Sequence, residues 1–94
     1  MTVAGKKILL EFAAKHADVR SAIAAWVAEV EEANWTGPQD VKARYPTASF
    51  IGDKRVVFNI KGNHYRLDVQ ISYSTKVVLV KRVGTHAEYD TWKF

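Results

Sequence analysis

The apolar residues of this chain change their spacing near Pro46, and no other feature of the sequence limits the fold as much. Before that point they recur every three or four residues, the spacing that puts them on one stripe of a helix. Beyond it they alternate, which puts them on one face of a strand. Helices therefore come first and strands second, joined by turns short enough for hairpins. The order predicts an α+β chain, with N-terminal helices packed on an antiparallel sheet of three to four strands.

Ile8, Leu9, Phe12 and Ala13 predict a first amphipathic helix over residues 6–17. Asp18 reads as the N-cap of a second helix, the strongest in the sequence, in which Val19, Ala22, Ile23, Trp26, Val27 and Val30 form the apolar stripe. Arg20, Glu29, Glu31 and Glu32 decorate its other face, so the stripe reads as core. Residues 34–38 are turn-rich. Pro38 suits the first turn of a short third helix that runs through residues 41–45 and must end before Pro46.

In the second half, Val56, Phe58 and Ile60 share one face of a strand over residues 55–60, between the turn signals Gly52-Asp53 and Gly62-Asn63. Residues 64–73 make the clearest strand. Tyr65, Leu67, Val69, Ile71 and Tyr73 form its core face, and His64, Arg66, Asp68, Gln70 and Ser72 its wet one. A further strand is expected over residues 76–83, apolar on both faces at 77–80 and hence central or covered. Gly84 stops it. Thr85 and Glu88 have the spacing of a capping box, which starts a short C-terminal helix.

With 94 residues, 48% of them hydrophobic and 26% charged, the chain reads as one globular domain over residues 1–94. It has no cysteine, so neither a disulfide framework nor a thiolate metal site is available, in keeping with a reducing cytoplasm. The apolar run at residues 8–10 is too short for a signal segment or a membrane span, so a cytoplasmic protein without a membrane partner is expected. The net charge of +4 is lopsided. Residues 1–40 hold four Lys or Arg against six Asp or Glu, whereas residues 41–94 hold ten against four. An anionic partner should meet the second half.

Three histidines lie far apart with no pair at i, i+4 spacing, and His86 with Asp90 is a lone couple, so no metal site is expected. The five glycines are scattered, with no phosphate-cradling loop, and no serine sits in a nucleophile elbow. A cofactor-independent reaction fits better. Arg66 lies on the best strand, Lys61 precedes the turn leading into it, and His86 and Tyr89 share a face near the start of the last helix, where free amides favour a phosphate. Cleaving a phosphodiester needs a base for the ribose 2′-hydroxyl, a cation for the charge on phosphorus and an acid for the leaving 5′-oxygen. Arg66 suits the cation, His86 an acid or base, and Tyr89 a phosphate-orienting, stacking or proton-exchanging group. Lys61 or Arg82 could add a phosphate contact. Each also has a structural reading: Arg66 could pair with Asp68, His86 could be an ordinary first-turn residue, and Tyr89 could bury its ring with Trp92 against the sheet.

The stretch Val57-Phe58-Asn59-Ile60-Lys61-Gly62-Asn63-His64-Tyr65-Arg66-Leu67 and the stretch Gly84-Thr85-His86-Ala87-Glu88-Tyr89-Asp90 closely resemble the HigB-type branch of the RelE/ParE toxin superfamily. Asp40-Val41-Lys42 and Tyr45-Pro46 look like the helix that precedes them. The resemblance implies a RelE/ParE-like toxin domain that cleaves messenger RNA, commonly on the ribosome, without a metal, and that is silenced by a helix-turn-helix antitoxin of HigA type. It implies that Arg66, His86 and Tyr89 are catalytic and adds Asn63 and His64 to Lys61 and Arg82 as RNA contacts. Relatives of RelE type often surround the scissile phosphate with several lysines. Here only Lys61 is so placed, which leaves the base unassigned. A non-catalytic module that poisons a protein target, or a basic domain that only binds RNA, would keep the charge without needing His86.

Overall fold

The computed structural model describes residues 1–52 and 54–94. It begins with a strand too short to show a period: β1, Thr2–Ala4, which turns at Gly5 directly into α1, Lys6–Lys15. Gly5 sits at φ 87°, the left-handed region that favours glycine, and a Cβ there would lie 3.0 Å from the Val80 carbonyl oxygen. The turn between strand and helix therefore passes close to Val80 because that residue has no side chain.

A 3-10 turn, Ala17–Val19, separates α1 from α2, Arg20–Glu32. Asp18 lies inside this turn and caps nothing; its carboxylate instead accepts from the Tyr65 hydroxyl at 2.8 and 2.7 Å and from Lys61 Nζ at 3.2 Å. Pro38 opens α3, Pro38–Arg44, as its spacing predicts. The strands that follow are β2, Ser49–Gly52, β3, Arg55–Ile60, β4, Tyr65–Ser72, and β5, Val77–Thr85, before the four-residue α4, His86–Tyr89. Of the expected turn at Gly52-Asp53, Asp53 lies outside the described residues.

The class is α+β as expected, but the sheet is five-stranded and mixed, in the order β1-β5-β4-β3-β2. From β2 to β5 every pairing is antiparallel, whereas β1 adds to the open edge of β5 in parallel, Val3 opposite Val78. Tertiary pairing recruits a three-residue segment whose own periodicity could not mark it.

The helices cover one face of the sheet. Leu9, Ala13, Val19, Ile23, Trp26 and Val30 meet Val56, Phe58, Leu67, Val69, Ile71, Val78 and Val80 in one core. Phe58, fully buried, is ringed by Trp26, Trp35 and Tyr45 at centroid distances of 5.4, 6.3 and 5.0 Å. The Tyr45 hydroxyl donates to Glu29 and so ties the end of α3 to α2.

The opposite face of β4 is not wet as alternation predicts. Gln70 is exposed, but Arg66 is only 7% exposed and Asp68 is fully buried. Residues beyond α4 fold back over this face: Arg82 stacks on Trp92 and Phe94 at 4.5 and 4.9 Å, and Arg55 on Phe94 at 5.9 Å. Nor does Asp68 pair with Arg66. Its carboxylate takes Arg55 from β3, Nε at 3.2 Å, and Arg82 from β5, Nε at 3.0 Å, so one buried anion bolts three adjacent strands together.

Breaking one partner out of such a buried network leaves the other charges without compensation. Asp68→Asn should lower unfolding stability by about 2–4 kcal/mol, read as a lower urea midpoint with an unchanged slope. An unaltered midpoint would show that the bolt carries no stability.

The Asp18 tie adds a pH dependence. The Tyr65 hydroxyl first, and then Lys61, hold its carboxyl below the ordinary 3.8. A depressed native pKa stabilises the fold above the unfolded value and ceases to do so as pH falls through the native one. The gap in urea midpoint between wild type and Asp18→Asn should be full at pH 6 and close as pH drops below about 4. A gap that widens toward acid would contradict the assignment.

Candidate functional site

Arg66 sits near the start of β4, between Asn59 on β3 and Gly84 on β5. Its guanidinium is held by neutral acceptors: Nη1 donates to the Asn63 carbonyl at 2.9 Å and the Tyr65 carbonyl at 3.3 Å, and Nη2 to Asn63 Oδ1 at 3.0 Å. No carboxylate pairs with it among the described residues, although Arg55 and Arg82 share Asp68 one register step away. A guanidinium always carries its charge. Buried at this depth with neutral acceptors alone, it keeps an uncompensated charge that can pair with an anion. Its Cζ lies 5.2 Å from the centre of the Tyr89 ring, whose negative face adds to the same positioning.

The start of α4 is built as the sequence predicts. Thr85 Oγ1 accepts from the Glu88 amide at 3.1 Å, and Glu88 Oε1 accepts from the Thr85 amide at 2.9 Å, completing the capping box. The His86 amide donates to the His64 carbonyl at 2.9 Å, docking the β3–β4 turn onto the helix. These bonds occupy the Thr85, His86 and Glu88 amides, three of those expected to receive a phosphate, so the first turn of α4 serves mainly to carry side chains to the site. His86 Nδ1 lies 3.3 Å from Asp90 Oδ2, with about half of its side chain exposed. The contact places a carboxylate beside Nδ1 and leaves Nε2 as the other ring nitrogen.

The remaining predicted residues divide by location. His64 is exposed in the turn next to α4, and Asn63 spends both its carbonyl and its side-chain oxygen on Arg66. With Arg66, His86 and Tyr89 they make one cluster at the end of the sheet. Lys61, in the left-handed region at φ 52°, reaches back to Asp18 on the helical side. Arg82 is committed to Asp68 and to the faces of Trp92 and Phe94.

Three residues that shape the site escape sequence reasoning. Asp68 reads as a wet-face acid, Gly84 as a strand stop and Trp92 as hydrophobic cover. Only the cross-strand register brings Asp68 between two arginines and sets Gly84 beside Arg66. The spacing of Tyr89 and Trp92, three residues apart, was the one available signal for their contact.

Among the described residues, no three His, Cys, Asp or Glu side chains converge as a metal site would require, and no helix is long and apolar enough to cross a membrane. What the cluster offers is a fixed buried cation, an accessible imidazole with a carboxylate beside it and a phenol, all at one end of the sheet. That set can bind a phosphate, stabilise added charge on it and exchange protons beside it.

The chain is similar to known proteins over most of its length. Residues 19–92 match the HigB toxin family, described as the RelE-like toxic component of a toxin-antitoxin system. Curated relatives include the mRNA interferase toxin HigB of Escherichia coli (strain K12) and the proteins named mRNA interferase HigB of Escherichia coli O157:H7 and Shigella flexneri. Each is 26% identical over 87 residues, which span 90% of this chain and 84% of the relative. With the matched segment running from the 3-10 turn to Trp92, and so taking in every residue of the cluster, the chain belongs to the HigB toxin family.

Proposed function

We propose that this chain is an endoribonuclease toxin that cleaves messenger RNA on the translating ribosome, arrests translation and growth, and is neutralised in the cytoplasm by a cognate helix-turn-helix antitoxin of HigA type. The observation that carries the reading is Arg66: a buried guanidinium with no carboxylate partner among the described residues, held by Asn63 beneath the Tyr89 ring and next to the helix that bears His86. Relatives named mRNA interferases support the choice of RNA as the anion.

In the proposed reaction the ribose 2′-oxygen attacks the adjacent phosphorus. Its O–P bond forms as the P–O5′ bond breaks, leaving a 2′,3′-cyclic phosphate and a 5′-hydroxyl. The 2′-proton leaves to a base, and the 5′-oxygen receives one from an acid. Arg66 stabilises the charge that builds on the non-bridging oxygens. His86, with the Asp90 carboxylate beside its Nδ1, exchanges a proton through Nε2, and Tyr89 orients the phosphate and serves as the second proton handler. Protein groups carry this chemistry without a metal. Ribosomal RNA supplies alignment that so small a domain lacks, which accounts for a site with Lys61 turned toward Asp18 and few other lysines nearby. His64, exposed in the adjoining turn, contacts the RNA backbone.

Inducing the protein in cells and mapping messenger RNA 5′ ends tests this. Wild type should generate new ends inside reading frames. Arg66→Ala should cut cleavage by about 10²–10³-fold through loss of charge stabilisation. His86→Ala should cut it by about 10²–10⁴-fold through loss of proton transfer. Growth arrest without new RNA ends would favour a protein target instead, and cleavage by both variants at the wild-type rate would remove these residues from the site.

A further inference from the structure

Beyond α4 the chain makes one more turn, Thr91 N to the Glu88 carbonyl at 3.0 Å and Trp92 N to the Tyr89 carbonyl at 3.0 Å, which lays Trp92 on the outer face of the sheet. The indole lands on Gly84, the cross-strand neighbour of Arg66. A Cβ at Gly84 would lie 2.9 Å from Trp92 Cζ2 and 3.2 Å from Glu88 Cβ, so the missing side chain is a notch that the indole fills. Arg82 stacks on the indole at 4.5 Å while its Nε is fixed by the buried Asp68. The indole in turn meets the Tyr89 ring edge-on at 5.5 Å, and the other side of the contact chain is Tyr89 against Arg66 at 5.2 Å.

From this chain of contacts we infer that Trp92 is a positioning residue: seated in the Gly84 notch and clamped by Arg82 on Asp68, it holds Tyr89 over Arg66 in the geometry that cleavage requires. The inference rests on the nuclease reading for its consequence, but not for the geometry it describes. A four-residue helix is too short to hold its own last side chain still, since isolated helices of such length are not stable. Tyr89 therefore takes its place from what packs against it. Trp92, at 5.5 Å, is the nearer of the two rings that link it to the ion-paired centre of the sheet; Phe94, stacked on Arg82, lies 6.3 Å from the Tyr89 ring. The same contacts give Arg82 a task other than touching RNA, because its guanidinium is already occupied on one edge by Asp68 and on its face by Trp92 and Phe94.

The test compares wild type with Trp92→Ala, Trp92→Phe and Gly84→Ala in two measurements. The first is single-turnover cleavage of messenger RNA on programmed ribosomes, with the affinity for those ribosomes read separately. A positioning role predicts that Trp92→Ala and Gly84→Ala lower the cleavage rate by roughly 10–100-fold, the scale of an ångström-size misplacement, while Kd stays within about 2-fold. Trp92→Phe, which keeps a ring in the notch, should recover most of the rate. The second measurement uses the free protein: nuclear Overhauser contacts between the Tyr89 ring and the Arg66 side chain should be present in wild type and in Trp92→Phe and lost in Trp92→Ala and Gly84→Ala. A loss confined to Kd would make Trp92 an RNA contact and overturn the inference. So would persistence of the Tyr89–Arg66 contacts in Trp92→Ala. If wild type fails to cleave, the nuclease reading falls, and the second measurement still decides whether Trp92 holds Tyr89.

Discussion

The outer half of this structure depends on one buried carboxylate. Asp68 lies on the central strand β4 with no exposure, and its two oxygens receive guanidinium groups from both neighbouring strands. A lone carboxylate at that depth would be costly to desolvate; two arginines, each partly in contact with solvent, offset the cost through charge-assisted hydrogen bonds. The arginines then become the floor on which Trp92 and Phe94 stack, so the ion cluster also fixes where the C-terminal segment runs. Without it the sheet would still have its helical face buried. Its other face would lack a template for the chain that carries His86 and Tyr89.

Charge is distributed unequally around that centre. The basic groups at Arg55, Arg82 and Lys61 are each compensated by a carboxylate within the chain, whereas Arg66 is held by the carbonyl and amide oxygens of Asn63. Neutral acceptors fix a guanidinium's direction without neutralising it. The result is a cation that is largely dehydrated and held in direction, the condition under which electrostatic stabilisation of a developing negative charge, as in the proposed cleavage, is largest. Of the ten Lys and Arg residues of the second half, Arg44, Arg55, Lys61 and Arg82 are thus held in ion pairs, whereas Arg66 is buried among neutral acceptors.

Much of the candidate site could be read from the sequence because its parts are local. The alternation of β4 fixed the side of the strand on which Arg66 lies, and the spacing of Thr85 and Glu88 gave the capped start of α4, with His86 and Tyr89 three residues apart. What could not be read was burial. Alternation says which residues share a face, but not whether a distant segment will cover it, and here residues after α4 convert a wet face into a partly dry one. For the same reason Lys61 and Arg82, equivalent to Arg66 in charge, could not be separated from it before their partners Asp18 and Asp68 were brought near.

The sequence by itself determined the α+β class, which residues share a face along β3 to β5, the start of α3 at Pro38 and the capping box of α4, because each depends on side chains within about one turn or one hairpin of each other. Only the tertiary structure decided that Thr2–Ala4 joins the sheet in parallel, that Asp18 serves Tyr65 and Lys61 rather than a helix end, and that Trp92 fits the notch at Gly84. Those are contacts between residues remote in sequence or set by cross-strand register. Their free energy comes from pairing an open strand edge, compensating buried charge and filling space. None of these leaves a periodic trace in the chain, so the packing of the whole molecule had to settle them.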